Sequence, residues 1–169
     1  MQAAAPDTVR GPVPDYELEY GDENSHRQPQ VLGDIAAFYR AFGLEPNRKV
    51  HERVDHISVE CEFMHFLLYK EAYALQFDNS QEKAETCHRA SCRFLEEHLG
   101  CWVPSFALRL AKHAKEGLMK YLADFTKMFV VGDCQQIGIT TDFKELSLRL
   151  PKEEEPGCMG CSLEIKEGG

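Results

Sequence analysis

Residues 52–75 read ERVDHISVECEFMHFLLYKEAYAL, and this stretch decides the fold class. After a charged, polar opening, Ile57, Cys61, Met64, Leu68 and Leu75 recur at intervals of three, four and seven, the spacing that lines one face of an α-helix. Phe63, Phe66 and Leu67 widen that face until the helix is apolar nearly all round, which predicts a central helix inside a bundle. Asp55 stands where an N-cap belongs, its carboxylate placed to accept from the first free backbone N–H groups. His56 then falls at the first helical position, at the rim of the core. Spacing leaves two readings of this pair open. One is a helix cap followed by a solvated histidine; the other is a recognition corner in which Glu52, Asp55 and His56 present acceptors to a basic ligand.

Working outward, further helices follow on both sides. Upstream, Leu32, Ile35, Tyr39 and Phe42 form one stripe of a helix over about 31–42, and Gly43 is a natural stop. A polar linker, LEPNRKVHERV at 44–54, joins it to the central helix. Downstream, Asn79 with Glu82 three residues on makes a weak capping box. Ala84, Cys87, Ser91, Phe94, Leu95 and Leu99 give that helix its inner face, and Gly100 is expected to end it. Trp102-Val103-Pro104 marks a sharp junction, with Pro104 suited to the first turn of a helix reaching about His113. Leu118, Tyr121, Leu122, Phe125, Met128 and Phe129 predict the core-facing stripe of another helix, closed by Gly132. No strand alternation and no glycine-rich phosphate loop occurs. The expected architecture is all-α, a single bundle of five or six helices.

The termini read differently. Residues 1–30 hold Pro6, Pro12, Pro14 and Pro29 and little periodicity, so we expect an extended, mobile lead-in in which Tyr16 and Tyr20 pin YELEYG onto the bundle. The helical domain is assigned to 31–150, with Thr140 to Leu150 a short helix or irregular. Residues 151–169 are expected to be a flexible acidic tail carrying a CxxC.

The same stretch carries a resemblance. Glu52, Asp55 and His56, followed by Glu60, Phe63 and Met64, resemble the signature of the TorD/DmsD-type (NarJ-like) chaperones, which reads roughly Glu-Pro-x-Asp-His and then Glu-x-x-Phe-Met. The motif's proline is absent, its place taken by Arg53, which leaves the loop less rigid. YELEYG at 16–21, IAAFYRAFGL at 35–44, KEAY at 70–73 and FLEEHLGCWVPSF at 94–106 also match, so the resemblance covers most of 14–131. It implies a cytoplasmic helical chaperone of molybdenum redox enzymes of the dimethyl sulfoxide reductase superfamily. Such a protein binds the twin-arginine leader or the immature catalytic subunit until the molybdopterin cofactor is inserted, and breaks no bond. A leader offers two guanidinium groups beside an apolar stretch, which calls for carboxylates next to a hydrophobic groove. Glu52, Asp55 and His56 are the recognition candidates; Tyr39, Phe42, Phe63 and Met64 are expected to build the adjacent core or groove. In the resembled family one or more helices precede the YELEYG region, and this chain has no room for them. We therefore expect a truncated form or a partner subunit in the gap, with self-association or helix exchange between copies.

Composition narrows the function further. A chain of 169 residues can bury one real core. A net charge of −9 argues against nonspecific nucleic-acid binding and favours a neutral or basic partner. No run of ~20 apolar residues spans a membrane, and the start, MQAAAPDTVRGPVPDY, lacks the pattern of a secretory signal. The protein is expected in the cytoplasm with its seven cysteines reduced, Cys61, Cys87 and Cys92 in or near the core. Cys158 and Cys161 in PGCMGC have metal-ligand spacing, but a closed site needs four ligands and no second CxxC exists. Two unpaired tail thiols, or a small metal or iron–sulfur carrier with help from Cys134 and a histidine, are the readings left open. His65 is expected to be a satisfied, partly buried side chain of the central helix. No HExxH, Ser-His-Asp, P-loop or dinucleotide pattern is present. We expect no enzyme and no cofactor.

Overall fold

The computed structural model describes residues 11–21, 28–45, 52–114, 116–139 and 145–149. Its helices are α1 (Gln28–Ala41), α2 (Ile57–Gln76), α3 (Gln81–Phe94), α4 (Gly100–His113) and α5 (Leu118–Gln136). A π turn, Leu95–Leu99, fuses α3 and α4 into one rod, so the described residues hold four continuous helices rather than five or six. The fold is all-α. Four residues join α2 to α3 and four join α4 to α5, lengths that make each pair an αα-hairpin. Ile35 and Tyr39 of α1, Phe63 and Leu67 of α2, Phe94 of α3, Trp102 and Val103 of α4, and Cys134 of α5 meet in one core.

Several helix ends follow from local chemistry. Gly43, at φ 72, lets the chain reverse after α1, with Leu44 N–H donating to Tyr39 O (2.9 Å) and Gly43 N–H to Arg40 O (3.0 Å). α5 closes the same way, but at Gly138 (φ 77) and not at Gly132, through Ile139 N–H to Cys134 O at 2.9 Å. Ser80 caps α3, accepting from Lys83 N–H at 3.5 Å. The expected cap, Asn79, instead takes the left-handed conformation that ends α2's run.

The expected breaks at Gly100 and Pro104 are not breaks. The π turn carries Gly100 N–H back to Leu95 O, and Pro104, which has no N–H to give, lies inside α4. Gly100 serves close packing: a Cβ there would stand 2.6 Å from Leu95 O and 2.8 Å from Cys134 Sγ. α5 therefore comes against the rod at a point where only a hydrogen fits.

Two faces differ from the sequence reading. α2 buries Glu60, Phe63, Leu67 and Ala74, while Cys61, His65, Leu68 and Leu75 are exposed and Ile57 and Met64 only partly covered. The predicted stripe lies about one residue out of phase, and α2 is not surrounded. α5 buries Ala123, Val130 and Cys134, and turns the predicted inner stripe from Leu118 to Phe129 outward. The inner face predicted for α3 and the π turn, Ala84 through Leu99, is buried throughout. Cys87 is buried and Cys92 half-buried, as expected of near-core thiols.

Ahead of α1, residues 11–21 form a strap. It runs extended around a 3-10 turn, Glu17–Glu19, with Leu18 and Tyr20 buried. Tyr20 donates its hydroxyl to Pro14 O (2.8 Å) and packs on Trp102, ring centroids 5.3 Å apart. The strap pairs with residues 145–149 through Gly21 N–H to Ser147 O and Arg149 N–H to Glu19 O, both 2.9 Å. That segment is irregular, one of the two forms expected for it, and is held in place: Ser105 Oγ accepts from Leu146 N–H at 2.8 Å, and Arg109 donates to Leu146 O at 2.7 Å.

Candidate functional site

The strap crosses the N-terminal end of α2, and the motif residues lie under it. His56, not Asp55, caps α2: its Nδ1 accepts from Ser58 N–H at 3.1 Å. Asp55 is wholly buried. One carboxylate oxygen accepts from Leu18 N–H (3.2 Å) and Arg53 (2.6 Å), the other from Arg53 Nε (2.9 Å). Its carbonyl takes Glu17 N–H at 3.0 Å, and Ile57 N–H reaches back to Asp15 O at 2.9 Å. Asp55 is thus the peg that holds the strap to the helix. A buried carboxylate with this many donors is satisfied, where an unpaired one would be costly.

Arg53 stands where the motif's proline was expected. Its guanidinium grips Asp55 in a fork, lies 4.5 Å from the centroid of the Tyr16 ring and sits 3.5 Å from Glu19 Oε1. Forked contact to a carboxylate plus an aromatic face is how an arginine is recognised. This chain supplies that arginine itself. Glu52 is half-buried beside it; Oε1 accepts from the Tyr16 hydroxyl (2.8 Å) and from Arg53 N–H (3.1 Å). The Tyr16 hydrogen bond, then the Arg53 amide, hold the Glu52 carboxyl below its ordinary range. His56 packs edge-on to Tyr16 at 5.1 Å. The outer surface of the corner is therefore Glu52, Arg53, His56 and Tyr16, each half-buried.

Tyr39, Phe42, Phe63 and Met64 do come together, beneath that corner. Tyr39 and Phe63 are buried, 4.7 Å between ring centroids, and the Tyr39 hydroxyl donates to Val54 O at 2.9 Å. Burial pushes the Tyr39 phenol above its ordinary value, so it stays a donor. Phe42 and Met64 are half-buried at the edge of the same cluster.

A second polar cluster lies deeper; Glu60 of it stood in the signature, and Glu17, His98 and Trp102 in the further matching stretches. Glu60 is wholly buried on α2, with Trp102 Nε1 donating to its Oε2 at 3.1 Å. Its Oε1 has no donor nearby, and its carboxyl is hydrogen-bonded to that of Glu17. Two carboxyls bond only if one carries a proton. Burial first, and then the Glu17 charge, raise the Glu60 pKa far above the carboxylate range, so Glu60 is the neutral partner. Glu17 also meets His98 Nδ1 at 3.1 Å. The strap is thereby tied to the rod at a second point, His98 being buried at the π turn. The sequence signal for this cluster is a glutamate, a histidine and a tryptophan on otherwise apolar faces.

The metal reading gains no support among the described residues, where no three His, Cys, Asp or Glu side chains gather as ligands. Cys134 is wholly buried against Gly100. Cys158, Cys161, the acidic tail, His26 and His51 lie outside the described residues.

The corner and the core beneath it fall inside a recognised family. The model described as nitrate reductase delta subunit matches residues 7–108. The chain belongs to that family. It is 33% identical over 122 residues to the perchlorate reductase assembly chaperone protein of Dechloromonas aromatica, which covers 70% of this chain and 52% of the relative. Against the chlorate reductase assembly chaperone protein of Ideonella dechloratans it is 34% identical over 80 residues, 47% of this chain and 40% of the relative. Chaperone protein TorD of Photobacterium profundum is 28% identical over 92 residues, 54% of this chain and 41% of the relative. The chain spans about half the length, or less, of the curated relatives it matches. No solved structure matches it. All three relatives are named as chaperones, two of them as assembly chaperones, in line with a non-enzymatic chaperone of the TorD type. No helix among the described residues is long and apolar enough to cross a membrane.

Proposed function

We propose that this chain is an assembly chaperone for a molybdenum oxidoreductase, acting in the cytoplasm on the immature catalytic subunit before export. The observation that carries this reading is the family match over 7–108, which contains the whole strap-and-corner arrangement around Asp55 and His56. The client segment is the twin-arginine leader, or the region of the catalytic subunit that the leader precedes. It meets the corner through Glu52 and His56. Asp55 acts from beneath as a positioning residue, because its oxygens are already engaged. Tyr39 and Phe63 support the corner as core, and Phe42 and Met64 lie where an apolar stretch of the client would pack.

Arg53 gives the mechanism a particular form. A client guanidinium approaching Asp55 and Glu19 meets an arginine already in place, so it binds beside Arg53 on Glu52 and Tyr16 or displaces it. Binding and release, with no bond broken, then hold the subunit until its cofactor is inserted.

The test is titration of a fluorescein-labelled twin-arginine leader, from a molybdoenzyme encoded beside this chain, into the wild type and Glu52→Gln/His56→Ala. Saturable binding that weakens roughly tenfold or more in the double variant, a change of about 1.4 kcal/mol, with unchanged circular dichroism, supports the corner. Equal affinity in both proteins moves the leader off the corner. No saturable binding of the leader, with the cofactor-free catalytic subunit also failing to co-purify, overturns the chaperone reading for this chain.

A further inference from the structure

α5 presents an apolar face that the described residues leave exposed. Leu118, Tyr121, Leu122, Phe125, Met128 and Phe129 are between 47% and 81% exposed, while Ala123, Val130 and Cys134 bury the opposite side. The steps from Leu118 to Tyr121, Phe125 and Met128 are three, four and three, and four more reach Gly132. That is the seam of a helix that packs along another helix. Large side chains of this kind bury roughly 150–250 Å² each when aromatic. Six of them, half to four-fifths exposed, approach the roughly 800 Å² that each partner brings to a stable interface.

We propose that this face of α5 is the contact between two copies of this chain, packed antiparallel about Phe125. The antiparallel orientation sets the large end of the seam, Leu118, against its small end, Gly132, where a parallel pair would set glycine against glycine. A two-fold axis beside Phe125 sets Phe125 against its own copy, Tyr121 against Phe129 and Leu122 against Met128. Gly132 lies inside α5 without a positive φ, and a Cβ there would meet no atom within 4 Å. Neither the backbone nor packing among the described residues calls for glycine, which costs a helix interior roughly 1 kcal/mol relative to alanine. A notch for Leu118 of the second copy accounts for it. An isologous contact of this kind closes on itself and yields a dimer, not a fibre. The proposal stands independently of the client corner, since α5 contributes no residue to it.

The test is sedimentation equilibrium of the full chain and of Tyr121→Asp/Phe125→Asp. The wild type is expected to dimerise, and the double variant to raise the dissociation constant roughly thirtyfold or more, the scale of a hot-spot loss. A wild type that stays monomeric up to about 100 µM overturns the proposal, and so does a dimer that the two aspartates leave intact. In the latter case the face belongs to a partner helix of another protein. Should the double variant fail to fold, Phe125→Cys with a short bis-maleimide decides the matter. It must give a covalent dimer above the background set by Cys61 and Cys101 in the wild type, while Met119→Cys, equally exposed but off the seam, must not. Equal yields from both positions overturn the antiparallel contact. Gly132→Leu, which fills the notch, is expected to weaken association with the helical content retained.

Discussion

The N-terminal end of α2 and the outer face of α5 are opposite solutions to placing side chains at a surface. At the first, Asp55 is buried completely and every oxygen is engaged, and the segments it joins are far apart in sequence. At the second, large apolar side chains stand out with none of the described residues covering them. The corner is over-determined: the strap is fixed by Asp55, by Glu17 and by the Tyr16 hydroxyl at once. Such a site keeps its shape with or without a ligand, which suits recognition. The α5 face has no such internal support, so its stability contribution has to come from whatever covers it.

The contrast breaks most easily at Asp55. Asp55→Ala removes the acceptor for Leu18 N–H and leaves Arg53 without its fork. Orphaning one member of a buried pair costs about 3–5 kcal/mol. Arg53 is one-third exposed and rehydrates in part, so about 3 kcal/mol is expected. Urea unfolding of the variant measures it. A loss under about 1 kcal/mol would mean the strap is held elsewhere, and the over-determined corner would no longer describe this site.

The other side of the comparison is sharpened within α5 alone. Ala123 is wholly buried and Phe125 more than half exposed. Ala123→Leu forces volume between α5 and α4 and is expected to cost about 1–3 kcal/mol. Phe125→Ser, measured at a concentration where copies are apart, is expected to stay within about 0.5 kcal/mol of the wild type. The reverse ranking, with the large residue costing more than the small one, would put Phe125 in the core and return the sequence's inner stripe to the inside.

That stripe shows where sequence reasoning reached and where it stopped. Helix existence was legible, because apolar spacing repeats over long segments and Gly43 carries its own stop. The inner face of α3 was legible too, since Ala84, Cys87 and Ser91 alternate with charged neighbours that fix the phase. In α2 almost every position from Phe63 to Leu68 is apolar or aromatic, so period is visible and phase is not. In α5 the largest residues dominate any periodicity, yet close helix packing takes the small ones, Ala123 and Cys134, and Gly100 on the facing rod. At the corner the motif residues were legible as a group. Their roles were not: which of Asp55 and His56 caps α2 depends on the strap, which supplies Leu18 N–H from 37 residues away. Arg53 carried no signal beyond the missing proline, and its fork onto Asp55 needs the folded loop.

Glu60 offers the finest probe, because its contribution depends on pH. In the fold it is neutral, its proton held by burial and by the Glu17 charge, with Asp55 adding to the same effect and Trp102 opposing it. In the unfolded chain it titrates near 4.5. The folded chain therefore binds one more proton than the unfolded chain between about pH 4.5 and about pH 10. Stability from this group is complete below the ordinary glutamate range and declines as pH rises, by up to about 1.4 kcal/mol per pH unit for one proton. Glu60→Gln reproduces the neutral form: its carbonyl oxygen accepts from Trp102 Nε1 and its amide donates to Glu17, but it has no proton to lose. The variant is expected to unfold at higher denaturant than the wild type near about pH 8 and to match it near pH 4.5. Its stability should also be flatter in between. Parallel curves would mean that Glu60 is ionised in the fold. The second tie between strap and rod would then rest on His98 and Glu17 alone, and the corner would lose one of the supports that set it apart from α5.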